Sequence, residues 1–261
     1  MSEVVAIPGP RIERVRHELR RRRLSVLRVE RLAPQMARVV FGGTELEGFT
    51  SLGFDDHVKL VFGPLTEGVA PSMRDFTPRR YDAARGELAI DFFLHEAGPA
   101  AEWARAAKAG DVLTVAGPKG SAVIPLDGID HHVLIGDETA VPAIARRLEE
   151  LPADAHVSVF VEGESATPWI EIAANAPERQ VQWIAREAAG EAVGAALAEA
   201  LRRHAPFAPR TFFWIAGESR VARALRRQLR EEHGVSLPWI KASGYWQRGA
   251  VGAHEAIADE T

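Results

Sequence analysis

Apolar and polar residues alternate over short stretches in the first half of the chain. In the second half, apolar runs are separated by segments whose apolar residues recur at helical spacing. Leu24–Leu32, Met36–Phe41, His57–Phe62, Leu88–Leu94 and Val112–Val115 read as strands, with Ala122–Ile124 a weaker sixth. The pattern is plainest in Leu88-Ala89-Ile90-Asp91-Phe92-Phe93-Leu94, and Gly or Pro punctuates most of the intervals. Six short strands with no long helix predict a small closed antiparallel β-barrel. One alanine-rich helix interrupts it, from Ala100 to Ala109, starting just after Gly98-Pro99 and ending at Gly110.

Past about Leu126 the rhythm changes. His132–Ile135, Val157–Val161, Val181–Ile184, Thr211–Ala216 and Trp239–Ala242 read as strands. The first is followed by a helix with Ile144, Leu148 and Leu151 on one face. A helix over about Glu191–Arg203 presents Val193, Leu197 and Leu201, and the next presents Val221, Leu225 and Leu229. This alternation predicts a doubly wound parallel sheet. With a boundary near Asp127–Asp130, the chain divides into an N-terminal arm over 1–23, a barrel domain over 24–127 and an α/β domain over 128–261.

Composition narrows the chemistry. The 261 residues include no cysteine, which excludes disulfides, thiolate nucleophiles, thiolate zinc sites and cysteine-ligated iron–sulfur clusters. The formal net charge of -4 argues against general nucleic-acid binding. Seven arginines between Arg11 and Arg23 read as a solvated, partly flexible basic arm. No apolar run approaches the roughly 20 residues that span a bilayer. The N-terminal residues lack the basic start and apolar core of a secretory signal, so no membrane insertion and a cytoplasmic location are expected.

Five stretches carry candidate chemistry. The first is Arg74-Asp75-Phe76-Thr77-Pro78-Arg79-Arg80-Tyr81. Arginine supplies permanently charged planar donors for a dinucleotide pyrophosphate, Phe76 a wall for a ring system, and Thr77 a small polar group. An ordinary edge strand is the plain alternative. The second runs from Phe92 to Ala101, where a strand leads through His95 into a helix N-terminus whose free amides suit a phosphate. The third, Gly136-Asp137-Glu138-Thr139-Ala140-Val141-Pro142-Ala143-Ile144, follows the first strand of the α/β half, where ligands of open sheets bind. It lacks the Gly-x-Gly-x-x-Gly fingerprint, and its acidic residues would repel a pyrophosphate placed on the turn. The fourth, Trp214 to Arg220, and the fifth, Ala242-Ser243-Gly244-Tyr245-Trp246-Gln247-Arg248-Gly249, also lie at strand ends. Gly217-Glu218-Ser219-Arg220-Val221 lacks the second glycine of a hydrolase nucleophile elbow.

In this order the stretches resemble the siderophore-interacting proteins, flavin-dependent ferric-siderophore reductases of the ferredoxin–NADP reductase superfamily. The family's Arg-x-Tyr-Thr-x-Arg, His-x-x-x-Gly-Pro-Ala-x-x-Trp-Ala, Gly-Asp-Glu-Thr-Ala-Leu-Pro-Ala-Ile and Gly-Tyr-Trp-Arg-x-Gly correspond to Arg74–Arg79, His95–Ala104, Gly136–Ile144 and Gly244–Gly249. The resemblance implies a six-stranded FAD-binding barrel followed by an NAD(P)-binding-like α/β domain. Arg74 and Arg79 would serve the cofactor's phosphates, Phe76 its ring and Thr77 its reactive nitrogen. Phe93, His95 and the backbone of Gly98, Pro99, Ala100 and Ala101 would complete that site. Asp137, Thr139, Ala140 and Trp246 would meet the cofactors from the α/β domain, with NADPH or NADH as donor, or a ferredoxin in its place.

The implied reaction is outer-sphere electron transfer to an iron(III) chelate, with no catalytic acid, base or nucleophile. Catecholate siderophores are polyanionic, and Lys59, Arg80 and Arg248 are candidates for attracting one. Lys59 also reads as a solvent-facing strand residue. Three residues depart from the family pattern. Phe76 replaces tyrosine, losing a hydrogen bond worth about 0.5–1.5 kcal/mol; Ala101 replaces serine, and Gln247 replaces arginine. A general flavin reductase, an electron-transfer module and a non-catalytic siderophore-binding protein are the alternative readings.

Overall fold

The computed structural model describes residues 7–63, 71–94, 98–166, 168, 172, 179–186, 194–250 and 255–257. The chain separates into two compact units, Ile12–Val123 and Ile124–Thr261, the latter joined by the stretch up to Arg11.

In the first unit the strands are β1 (Glu13–Arg16), β2 (Arg21–Ala33), β3 (Met36–Gly42), β4 (Val58–Phe62), β5 (Ser72–Phe76), β6 (Arg80–Asp82), β7 (Glu87–Phe93), β8 (Val112–Ala116) and β9 (Gly120–Val123). Helix α1 spans Pro99–Ala106. Among the described residues, seven strands form one curled antiparallel sheet in the order β5-β4-β8-β2-β3-β7-β6, and β1 pairs with β9 as a separate ribbon. The period-two pattern sets its core: Leu24, Val26, Val39, Phe41, Val58, Leu60, Leu88, Ile90 and Phe92 bury one face. The sheet therefore differs from the expected six strands. The weak sixth strand pairs with β1 outside the sheet, and the Arg74–Tyr81 cluster contributes two short edge strands, β5 and β6.

The basic arm is also revised. Glu13–Arg16 and Arg21–Arg23 are strand, because backbone pairing to β9 and β8 does not depend on the charge of the side chains. Alternation turns Arg22 inward, 4% exposed, with its guanidinium 5.3 Å from the centre of the Phe49 ring. Burial lowers its pKa below the ordinary arginine value.

In the second unit the strands are β10 (His131–Asp137), β11 (Val157–Gly163), β12 (Arg179–Ala185), β13 (Thr211–Glu218), β14 (Ile240–Trp246) and β15 (Glu255–Ala256). The helices are α2 (Val141–Glu150), α3 (Ala195–His204) and α4 (Ser219–Glu231). Strand order is β12-β11-β10-β13-β14-β15, parallel except for the antiparallel edge strand β15. Order reverses between β10 and β13, which opens a crevice at their carboxyl ends. Leu197 and Leu201 of α3 and Leu225 and Leu229 of α4 share one core with Val133, Ile135, Phe213 and Ile215. Glu191–Val193, expected at the start of α3, lie outside the described residues. The indole N–H of Trp239 donates to the carbonyl of Ile7 at 3.2 Å, and the stretch up to Arg11 belongs to this unit.

Candidate functional site

In the first unit, the alternation of β5 puts Arg74 and Phe76 on one face and Met73 and Asp75 on the other. The Arg74 guanidinium donates to the neighbouring Met73 carbonyl at 2.8 Å and has no carboxylate partner among the described residues. Phe76 is half-buried, its ring 4.5 Å from Phe92 and 6.4 Å from Phe62. Trp103 of α1 packs on the same two rings at 5.7 and 5.9 Å, so one aromatic cluster joins β5 to α1. Thr77 follows Phe76 and is buried, and Phe93 ends β7 half-buried.

Helix α1 begins on Gly98, whose φ of 127° favours glycine. The amide of Glu102 closes the first turn on the Gly98 carbonyl at 2.9 Å. The preceding amides of Ala100 and Ala101 have no intrahelical acceptor. Pro99 has no N–H, so of the three residues from Pro99 to Ala101 only the two alanines donate. Guanidinium, aromatic wall, buried hydroxyl and open helix turn are together the donor set that a flavin dinucleotide takes, and these residues fit it. His95 lies outside the described residues.

Two expected ligands are otherwise engaged. Arg79 is 6% exposed, with Nε 3.8 Å from Asp91, whose carboxylate also takes a two-pronged bridge from Arg38 at 2.6 and 2.8 Å. Lys59 donates to both oxygens of Asp75 at 2.9 Å, cross-strand on the face opposite Phe76. Arg80 is exposed on β6.

In the second unit, the carboxyl ends of the strands carry, among the described residues, four buried carboxylates: Asp137, Glu138, Glu162 and Glu218. Arg186 bridges two of them, donating through Nη2 to Glu138 and through Nε to Glu162 at 3.1 Å. Burial raises the pKa of Glu138 above the usual carboxylate value, against the opposing pull of Arg186. Glu218 caps α4, accepting from the amides of Arg220 and Val221 at 2.7 and 3.1 Å, while its other oxygen takes the Arg248 amide at 3.2 Å.

Asp137 accepts from the Thr139 amide and hydroxyl at 2.9 and 2.5 Å, from the Glu218 amide at 3.0 Å and from the Trp246 indole at 2.7 Å. Two of the expected cofactor residues, Thr139 and Trp246, thus bond to a third, Asp137. Ala140 is fully buried beneath this turn, and Arg248 is exposed. Ser219, from the discarded elbow, is buried and donates to the Trp246 carbonyl at 3.1 Å. Glu218 and Arg186 went unassigned in the sequence. A carboxylate between a strand and a helix start was a readable cap signal for Glu218, whereas Arg186 carried none.

Two family models match in succession. The siderophore-interacting FAD-binding domain covers residues 25–70 and 64–122, and the siderophore-interacting protein model covers 129–249. An Escherichia coli K12 protein named NADPH-dependent ferric-chelate reductase is 40% identical over 253 residues, spanning 90% of this chain and 96% of that protein. The chain belongs to the siderophore-interacting protein family. A further relative, the Vibrio cholerae ferric vibriobactin reductase ViuB, is 31% identical and matches 87% of this chain and 90% of its own. Among solved structures, a siderophore utilization protein from T. fusca superposes with a TM-score of 0.81 at 37% identity, covering 92% of this chain and 98% of the other. As a siderophore-interacting protein, the chain keeps the family's FAD-binding and siderophore-interacting segments in order along its length.

Proposed function

We propose that the protein is an NADPH-dependent reductase of ferric siderophores, releasing iron as iron(II). The observation that carries this reading is the Arg74–Phe76–Thr77 face of β5, joined by one aromatic cluster to the open first turn of α1, in a chain of this family. The region over 24–127 would hold FAD and the region over 128–261 the nicotinamide. Arg74 would bind the pyrophosphate, with the amides of Ala100 and Ala101 beside it; Phe76 would wall the ring, and Thr77 would bond its polar edge. FAD supplies the conversion of a two-electron hydride into single electrons, so one NADPH accounts for two iron(III) reduced to iron(II). No side chain needs to move a proton at the iron centre.

The α/β unit we read as doubly wound: α3 and α4 share the core on the Val133 face of β10, which leaves α2 for the Leu134 face. For the substrate we favour a polyanionic catecholate. Arg80 and Arg248 are exposed, each on its own unit, and supply positive charge. Lys59 contributes less, because Asp75 neutralises it. A cytoplasmic enzyme is the setting we infer, with a ferredoxin as the second donor to try. No helix among the described residues is long and apolar enough to cross a membrane.

The test is spectroscopic. Purified protein should carry flavin bands that bleach on anaerobic addition of NADPH and return on adding a ferric siderophore. Protein that remains colourless with added FAD yet binds the ferric chelate would sink the enzyme reading. Return with free flavins or quinones but not with ferric chelates would make it a general flavin reductase.

A further inference from the structure

Asp137 stands among the residues expected to meet the nicotinamide donor, yet it has no capacity left to meet a ligand. An ionised carboxylate offers about four acceptor positions. Here Oδ1 takes the amide and hydroxyl of Thr139, and Oδ2 takes the Glu218 amide and the Trp246 indole N–H. Its side chain is buried, and a negative charge at this turn disfavours a pyrophosphate. Thr139 and Trp246, which it holds, are each half-buried and so keep surface open to a ligand. We propose that Asp137 is a positioning residue, acting on the donor through Trp246 and Thr139 by fixing both side chains in the orientation that receives NADPH. This rests on the donor reading given above.

The local backbone is arranged for that contact. Between β13 and β14 the register shifts: Gly217 pairs with Gly244, but Glu218 pairs with Trp246, leaving Tyr245 as the extra residue of a bulge. An extra residue re-aims the side chain that follows it. Alternation along β14 sets Trp246 on the same side as Ile240 and Ala242, which share a core with Val133 and Ile135 on the Asp137 side of β10. Tyr245 instead packs edge-on against Trp214, with ring centres 6.2 Å apart. At Gly217, φ is 150°, and a Cβ would lie 2.7 Å from Asp137 Oδ2. The close approach that brings the Glu218 amide to the carboxylate therefore requires glycine. A neutral amide would not replace the aspartate in full, since its NH2 would face the Glu218 and Trp246 N–H donors in one orientation and the Thr139 amide N–H in the other.

The experiment uses the full chain as wild type, Asp137→Asn, Trp246→Phe and the double variant. In ¹⁵N-labelled protein without FAD, the Trp246 indole resonance is identified by its loss in Trp246→Phe. It should exchange slowly with solvent in the wild type, then shift and exchange at least about tenfold faster in Asp137→Asn, as expected for losing a bond to a charged acceptor. Calorimetry on the same protein should show NADP⁺ affinity falling about tenfold in each single variant and by clearly less than the product of the two in the double, the mark of residues that act through one another. In FAD-loaded protein, bleaching by NADPH should lose far more than reoxidation of dithionite-reduced protein by an iron(III) tris-catechol complex.

Additive losses in the double variant, equal losses in the two half-reactions, or unchanged NADP⁺ affinity in Asp137→Asn would each overturn the proposal. If Asp137→Asn fails to fold, Trp246→Phe decides alone, because it keeps an aromatic ring and removes the pyrrole ring with the N–H that Asp137 holds; unchanged NADP⁺ affinity then overturns it. Wild-type protein that neither binds NADP⁺ nor bleaches with NADPH would remove the donor reading and this role with it. Wild type that binds NADP⁺ and bleaches, while the variants match it, would leave the reductase reading intact and remove the positioning role alone.

Discussion

Two arginines of one motif, five residues apart, end in opposite circumstances. Arg79 is enclosed with Arg38 around the Asp91 carboxylate, whereas Arg74 is half-buried as a residue and its guanidinium makes an exposed bond to a neighbouring carbonyl. Their substitutions should therefore separate stability from binding. Asp91→Ala leaves two guanidiniums facing each other in a largely buried place, and should cost about 3 kcal/mol. A fall in the denaturant midpoint at constant m-value is the expected readout. Arg74→Ala should leave that midpoint nearly unchanged and weaken FAD binding about tenfold or more, the worth of one charge-assisted bond, measured by titrating flavin into apo-protein. Phe76 bears on both quantities, since its ring packs on Phe92 and Phe62. Phe76→Ala should lower thermal stability by about 1–3 kcal/mol and lower FAD retention as well, whereas Phe76→Tyr should tighten FAD through its added hydroxyl.

Among elements, the bulged end of β14 and the turn after β10 depend on one glycine. Gly217→Ala introduces a methyl against Asp137 at a φ that L-residues rarely adopt, and should destabilise the second unit by about 1–3 kcal/mol. A Trp246 indole resonance that shifts together with the unfolding midpoint would show that the two are linked. How far these elements could be read from the chain depended on which face each one buries. Strands such as β3 and β7, apolar and buried at nearly every position, were plain as short continuous apolar runs. Strand β5 was not, because Ser72-Met73-Arg74-Asp75-Phe76 carries charge on both faces at a sheet edge. Strand β1 has one apolar residue in Glu13-Arg14-Val15-Arg16 and is held by backbone pairing that composition does not report. The Arg74–Thr77 cluster and the α1 start were legible because each is a local run. The convergence of Thr139, Glu218 and Trp246 on Asp137 was not, since it depends on sheet register and a bulge linking residues 81 and 109 positions apart.

For the molecule as a whole, acidity should be felt first at the amino ends of the parallel strands. His131 is pushed down to about 4 by burial and by the neighbouring His156 and His204, and His132 to about 3 by burial and Arg147. Both are neutral in the folded state where an unfolded histidine, near 6.5, already takes a proton. The unfolded chain thus binds more protons between about pH 6.5 and the folded values. Stability from these groups is complete above that window and is lost as pH falls through it, by up to about 1.4 kcal/mol per pH unit for each histidine. Denaturation midpoints between pH 7 and 4.5 should follow this slope, and His131→Gln should flatten it.

The Trp239–Ile7 hydrogen bond has a consequence for chain topology. Because residues up to Arg11 fold with Ile124–Thr261, the β-sheet unit is an insertion, its two ends both tied to a host that begins before it and resumes after it. A ribosome must therefore deliver the whole inserted unit before the host can close on its own first segment. A fragment beginning at Ile124 should accordingly be less stable than the host within the full chain, and a peptide carrying Ile7-Pro8-Gly9-Pro10-Arg11 should restore part of the difference in trans. Equal stability of the fragment with and without that peptide would mean that the opening segment is merely a strap.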